Sequence, residues 1–137
     1  MHPSTIRLSA ITCAFLACAA ARAEPVINEF LADNSGGEGA LLDADGDSPD
    51  WIEIRNTDVA PFDLSGWHLT DSVGDLDRWT VPAGVVIPAG GFLVIFASGK
   101  TRGVAGQELH TNFSLRRQGE YLALVKPDGL TVHQEFS

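Results

Sequence analysis

Beyond residue 23 the sequence contains no cysteine, because both of its cysteines, Cys13 and Cys18, lie near the amino terminus. A disulfide scaffold is excluded for everything that follows, so stability there has to come from packing. No apolar run after residue 23 approaches the roughly 20 residues that a helix needs to cross a bilayer. No segment sustains a 3.6-residue hydrophobic period, which removes helices as the framework. Basic residues are scarce: nine Lys and Arg stand against eighteen Asp and Glu, a formal net charge of −9. That balance opposes unaided binding to nucleic acid or anionic lipid. It favours solubility and cations.

What is present begins with a leader. Met1 to Ala23 combines Arg7, an apolar stretch from Leu8 to Ala21, and Ala21-Arg22-Ala23 as a small-x-small cleavage site. Cleavage after Ala23 leaves residues 24–137, with seven basic residues, eighteen acidic ones and a net charge of −11. The expected compartment is therefore the cell exterior, secreted or at the cell surface. Phe15-Leu16-Ala17-Cys18 partly matches a lipoprotein cleavage box, with Phe15 where leucine is usual, so a lipid anchor on Cys18 is the lesser alternative.

The remaining 114 residues suffice for one domain with a single core. Short strands are expected at Pro25–Asp33, Asp50–Asn56, Leu64–Thr70, Arg78–Pro82, Val85–Pro88, Phe92–Ala97 and His110–Phe113. A terminal hairpin turns at Pro127-Asp128-Gly129. Phe92–Ala97 is apolar on both faces and reads as the central strand. Pro25–Asp33 is also nearly apolar on both faces and is expected to be covered on both sides. In Asp50–Asn56 the alternation puts Ile52 and Ile54 toward the core, with Trp51, Glu53 and Arg55 outward. About eight short strands separated by turn residues imply an all-β antiparallel sandwich.

The order of motifs carries a resemblance. Ile27-Asn28-Glu29-Phe30, Asp50-Trp51-Ile52-Glu53-Ile54, Asp63-Leu64-Ser65-Gly66-Trp67-His68-Leu69-Thr70-Asp71, Pro88-Ala89-Gly90-Gly91-Phe92 and Asn112-Phe113-Ser114-Leu115 together resemble the lamin-tail domain in its bacterial secreted or surface form, over nearly all of Val26 to Val132. The resemblance implies an immunoglobulin-like antiparallel β-sandwich. It further implies a non-catalytic interaction module, and in bacteria an accessory placed beside hydrolases or other surface domains. A lamin rod, a nuclear-import cluster and a prenylation box are absent, so nuclear scaffolding does not carry over.

Candidate site residues are few. Asp43, Asp45 and Asp47 alternate as in the first half of an EF-hand loop, with Asp50 or Glu53 placed to complete an oxygen shell for Ca²⁺. Ser48 stands where the sharp turn of that loop requires glycine and Ile54 where its last ligand belongs, so a solvated acidic loop is the default reading and Ca²⁺ the alternative. Trp51 and Trp79 are candidates for an exposed aromatic platform of the kind that stacks on sugars, whereas Trp67 is assigned to the core. His68, His110 and His133 fall on different strands without metal-ligand spacing. Asp63, Ser65 and His68 contain the elements of a triad but lack a nucleophile elbow. Glu29 and Glu53 form a conceivable carboxylate pair, better explained by pairing with Arg55. Asn112-Phe113-Ser114 matches a glycosylation sequon, and Arg116-Arg117 is too short for a nucleic-acid patch. No catalytic set emerges.

The leading expectation is a secreted or cell-surface, non-catalytic module that contacts other protein domains or surface polymers, with Ca²⁺ in its acidic loop as an optional addition. The rival is the front of a secreted hydrolase whose catalytic domain is not in this chain.

Overall fold

Phe92–Ala97 does become an interior strand, hydrogen-bonded on both sides, and the rest of one sheet is arranged around it. The computed structural model describes residues 23–119 and 121–137, all in strands, turns and loops without a helix. The expected leader, including Cys13 and Cys18, falls outside the described residues apart from Ala23.

Ten strands follow in order: β1 (Val26–Leu31), β2 (Asp50–Arg55), β3 (Phe62–Asp63), β4 (His68–Thr70), β5 (Trp79–Thr80), β6 (Val86–Ile87), β7 (Phe92–Ala97), β8 (Leu109–His110), β9 (Leu122–Val125) and β10 (Val132–Phe136). One sheet has the order β1-β2-β7-β8 and the other β10-β9-β4-β5, while β3 and β6 form a two-stranded piece. Pairing is antiparallel except between β7 and β8, where Ile95 and Phe96 lie beside Leu109 and His110 in parallel. Ile52, Ile54 and Ile95 from the first sheet join Leu69, Leu122 and Leu124 from the second, with Trp67, Trp79 and Ile87, in one buried cluster. These are the two packed layers that the period-2 patterning requires.

Two strands differ from expectation for local reasons. The expected strand Leu64–Thr70 is broken by a turn: Gly66 has a φ of 77°, and the Trp67 N–H donates to the Leu64 carbonyl at 3.2 Å. β1 is an outer strand and is not covered on both sides. A bulge at Asn28 shifts its register, so Ile27 faces Ile54 and Phe30 faces Ile52. Strict alternation would have put Ile27 and Phe30 on opposite faces; the extra residue brings both to the core side. Phe30 and Leu31 nevertheless remain 38% and 40% exposed.

The terminal hairpin forms as expected. Gly129 takes a φ of 68° and donates to the Lys126 carbonyl at 2.9 Å, and the Asp128 carboxylate accepts from the Leu130 and Thr131 N–H groups. A second polar hub went unnoticed in the sequence. The buried Asn56 amide donates to the carbonyls of Ala60, Ile87 and Pro88 at 2.8–3.1 Å, and its oxygen accepts from the Asp58 N–H at 2.9 Å.

Candidate functional site

Residues 34–49 have no strand of their own and are fastened at their base by side chains. Asn34 Nδ2 donates to the carbonyls of Leu41 and Pro49, and Asp50 Oδ1 accepts from the Asp33 and Asn34 N–H groups at 2.8 and 3.3 Å. The loop tip is a tight turn in which Asp43 Oδ1 accepts from the N–H groups of Asp45 and Asp47 at 3.0 and 2.9 Å. Gly46, at a φ of 83°, donates to the Asp43 carbonyl. Asp residues make such turns because a short carboxylate reaches the backbone two residues on. The Asp43 side chain is completely buried.

A cation already lies among these carboxylates. Lys100 Nζ donates to Asp43 Oδ2, and lies 2.7 Å from Asp45 Oδ2 and 2.8 Å from Asp47 Oδ2. Arg102 Nη2 also reaches Asp45 Oδ2, at 2.7 Å. Hydrogen bonds from Lys100 and then Arg102 hold the Asp45 pKa down at about 2. For Asp43 burial is the largest single influence and acts upward, yet the bonds from Lys100, Asp47 and Asp45 together bring its pKa below the usual carboxylate value. The same three carboxylates raise the pKa of Lys100 well above that of an ordinary lysine. Asp43, Asp45 and Lys100 are thus all charged near neutrality.

Behind the loop is a hydroxyl–imidazole–carboxylate chain. His110 is fully buried and stacked on Phe96 at 5.3 Å; its Nδ1 lies 2.8 Å from Ser98 Oγ and its Nε2 2.8 Å from Glu108 Oε1. Glu108 also accepts from the Ala44 N–H at 3.0 Å, which ties the chain to the acidic loop. Ser98 Oγ accepts from the Lys100 N–H at 3.1 Å. Asp43, Glu108 and His110 bring one ligand atom each within 4.8 Å of one another, as do Asp43, Asp45 and Asp47. Glu108 was not singled out in the sequence; its one signal was the position two residues before His110.

The other sequence candidates are scattered. Asp50 and Glu53 do not complete a shell around the loop: Asp50 caps Asp33 and Asn34, and Glu53 Oε1 accepts from Asn28 Nδ2 at 2.7 Å. Trp79 is buried at 5% exposure opposite Leu69, so it offers no ring to a ligand, and Trp51 is half-buried beside Phe96. The platform reading fails for Trp79 because β5 is folded onto the core. Trp67 is in the core as expected, edge-on to Phe62 and His133. Glu29 and Glu53 are cross-strand neighbours, and the Arg55 guanidinium lies over the Phe92 ring at 5.4 Å rather than on either of them. Ser65 Oγ bonds Asp63, while His68 Nδ1 meets Thr80 Oγ1, so no triad assembles from that segment. His133 bonds Pro25 and Glu24.

The family model of the Lamin Tail Domain matches residues 19–135. The chain belongs to the lamin tail domain family. No curated protein and no solved structure matches it. In this lamin tail domain the two sheets and the buried cluster between them are those of an immunoglobulin-like sandwich. Among the described residues there is no helix long and apolar enough to cross a membrane.

Proposed function

We propose that this lamin tail domain is a secreted or cell-surface module without catalytic activity, which contacts other protein domains or surface polymers. The observation that carries this reading is the way its polar groups are spent. Lys100, the three loop aspartates, Ser98, His110 and Glu108 all bond one another and close the loop onto the sheet. A nucleophilic serine needs a base whose ring meets solvent and substrate, and the His110 ring is wholly enclosed.

Export is supported by the amino-terminal end of the domain. Glu24, the first residue after the proposed cleavage site, is tied by its carboxylate to Lys126 at 2.7 Å and His133 at 3.1 Å, and by its carbonyl to Thr57. Among the described residues the fold thus holds the chain at Glu24, one residue past the expected cleavage site. The mass of the mature protein is expected to begin at Glu24, and a mass carrying a lipid on Cys18 refutes free secretion.

For the acidic loop we propose that Lys100 takes the part of a cation, so that Ca²⁺ is not needed to close it. The functional reading is tested with protein recovered from the medium of producing cells. Saturable binding to those cells, without turnover of ester, glycoside or phosphodiester substrates above a heat-killed control, is expected. Turnover that scales with purified protein refutes it.

A further inference from the structure

We infer that the cleft between the two outer strands β1 and β10 is a docking surface for an extended acidic segment of another protein, added as a strand along the free edge of β1. This rests on the binding-module reading above and names its surface. β1 ends one sheet and β10 ends the other, so among the described residues neither has a strand partner on its outer side. At one end the gap between them is closed by side chains. The Gln134 amide bonds both the N–H and the carbonyl of Ile27, at 2.7 and 3.3 Å, and His133 Nε2 bonds the Pro25 carbonyl.

At the other end Phe30 and Phe136 meet edge-on at 5.2 Å, and a cleft of about 250 Å³ opens beside them against Ala32, Leu115 and Leu122. Its wall is apolar. Its rim carries Arg116 and Arg117, the one adjacent basic pair in a chain of net charge −9. An outer strand with unpaired backbone groups is a template for another strand, and main-chain bonds supply affinity while side-chain pockets supply selectivity. Here the pocket asks for an apolar side chain and the rim for a carboxylate. Arg117 binds Asp33 but remains 67% exposed, and a guanidinium has five N–H donors to share.

The chain's overall negative charge does not forbid an acidic partner, because charges beyond about 8 Å are largely screened at physiological salt and the two guanidinium groups are local. A second copy is a poor occupant. Antiparallel self-pairing centred on Glu29 would set that carboxylate against its own copy, and like charges across strands are destabilising.

The test uses the purified secreted chain and two fluorescein-labelled decapeptides, one alternating valine with glutamate around a central phenylalanine, the other with lysine in place of glutamate. Saturable binding of the glutamate peptide, about tenfold weaker binding of the lysine peptide, and a reversed preference in the Arg116→Glu/Arg117→Glu variant are expected. Amide shifts on binding should centre on residues 29–32. The inference is overturned by absence of saturable binding up to about 1 mM, by equal binding of both peptides, or by shifts confined to another face. It is also overturned by a dimer in sedimentation that the double variant abolishes. Cell binding that persists unchanged in the double variant removes the cleft and leaves the module reading standing; loss of cell binding in the parent protein removes that reading instead.

Discussion

Replacing Lys100 with methionine tests whether the acidic loop depends on an internal cation. Methionine keeps much of the apolar stem and deletes the ammonium. Asp45 retains Arg102, and Asp47 is largely open to water, but Asp43 is left as a buried carboxylate supported only by backbone N–H groups. Breaking a fully buried ion pair costs about 3–5 kcal/mol; only Asp43 is fully buried here, so about 2 kcal/mol is a fair value for its stranded charge. For a domain of this size that corresponds to a fall in Tm of about 8 °C. The vacated carboxylates then suit Ca²⁺, which takes oxygen ligands. Thermal melts of parent and variant in chelator and in millimolar Ca²⁺ provide the assay. The parent should melt at the same temperature in both, while the variant should regain about 6 °C when free Ca²⁺ is near ten times its dissociation constant, equivalent to about 1.4 kcal/mol. A parent whose Tm rises with Ca²⁺, or a variant that melts within about 2 °C of the parent in chelator, refutes the internal-cation argument.

Three further outcomes follow from particular contacts. Asn56→Asp replaces a buried donor to three carbonyls with an acceptor, and should cost about 3 kcal/mol in denaturant unfolding; a loss below about 1 kcal/mol contradicts the assigned role of that amide. Trp79→Ala should cost about 3–5 kcal/mol as a core deletion, and Trp51→Ala less than half as much; equal losses contradict the burial difference. Asp45 and Asp128 are both held at about 2 against an ordinary 3.8, Asp45 chiefly by Lys100 and Asp128 by Thr131. A depressed folded-state pKa favours the folded state above the unfolded value, so their contribution is complete above about pH 4 and disappears as pH falls toward 2. Stability measured across that window should decline less steeply in Asp45→Asn/Asp128→Asn than in the parent, and an unchanged slope refutes the assignment.

The framework was legible because its signals are local. Ile52, Ile54 and the run Phe92–Ala97 reveal buried faces through period-2 patterning, and Pro127-Asp128-Gly129 reveals its turn through backbone preference. β1 was misread as doubly covered because apolar side chains on both faces look the same whether a neighbouring strand or an open cleft lies beside them. The bulge at Asn28 left no composition signal that would have shown the shift in faces. The acidic loop was visible as a loop, but its contents were not. Lys100 is 57 residues from Asp43 in sequence, and only the pairing of β2 with β7 brings the two segments to the same end of the sheet.

That long-range closure also explains why an EF-hand reading was attractive and incomplete. Alternating aspartates converge their oxygens whenever the chain turns tightly, because each carboxylate seeks N–H groups two residues ahead. Convergence therefore creates a demand for positive charge without specifying its source. In this chain β2 and β7 are paired from Asp50–Ala97 to Arg55–Phe92, which leaves the segment after Ala97 directly beside the acidic turn. Lys100 and Arg102 both lie in that segment and both reach the loop. Ca²⁺ entry would require the ammonium to leave three carboxylates at once, and the ion would still lack Asp50 and Glu53, which are committed to Asp33, Asn34 and Asn28. The strand register thus brings a lysine to the three carboxylates, and a one-residue slip in β7 would flip the segment's side chains and carry Lys100 away from them.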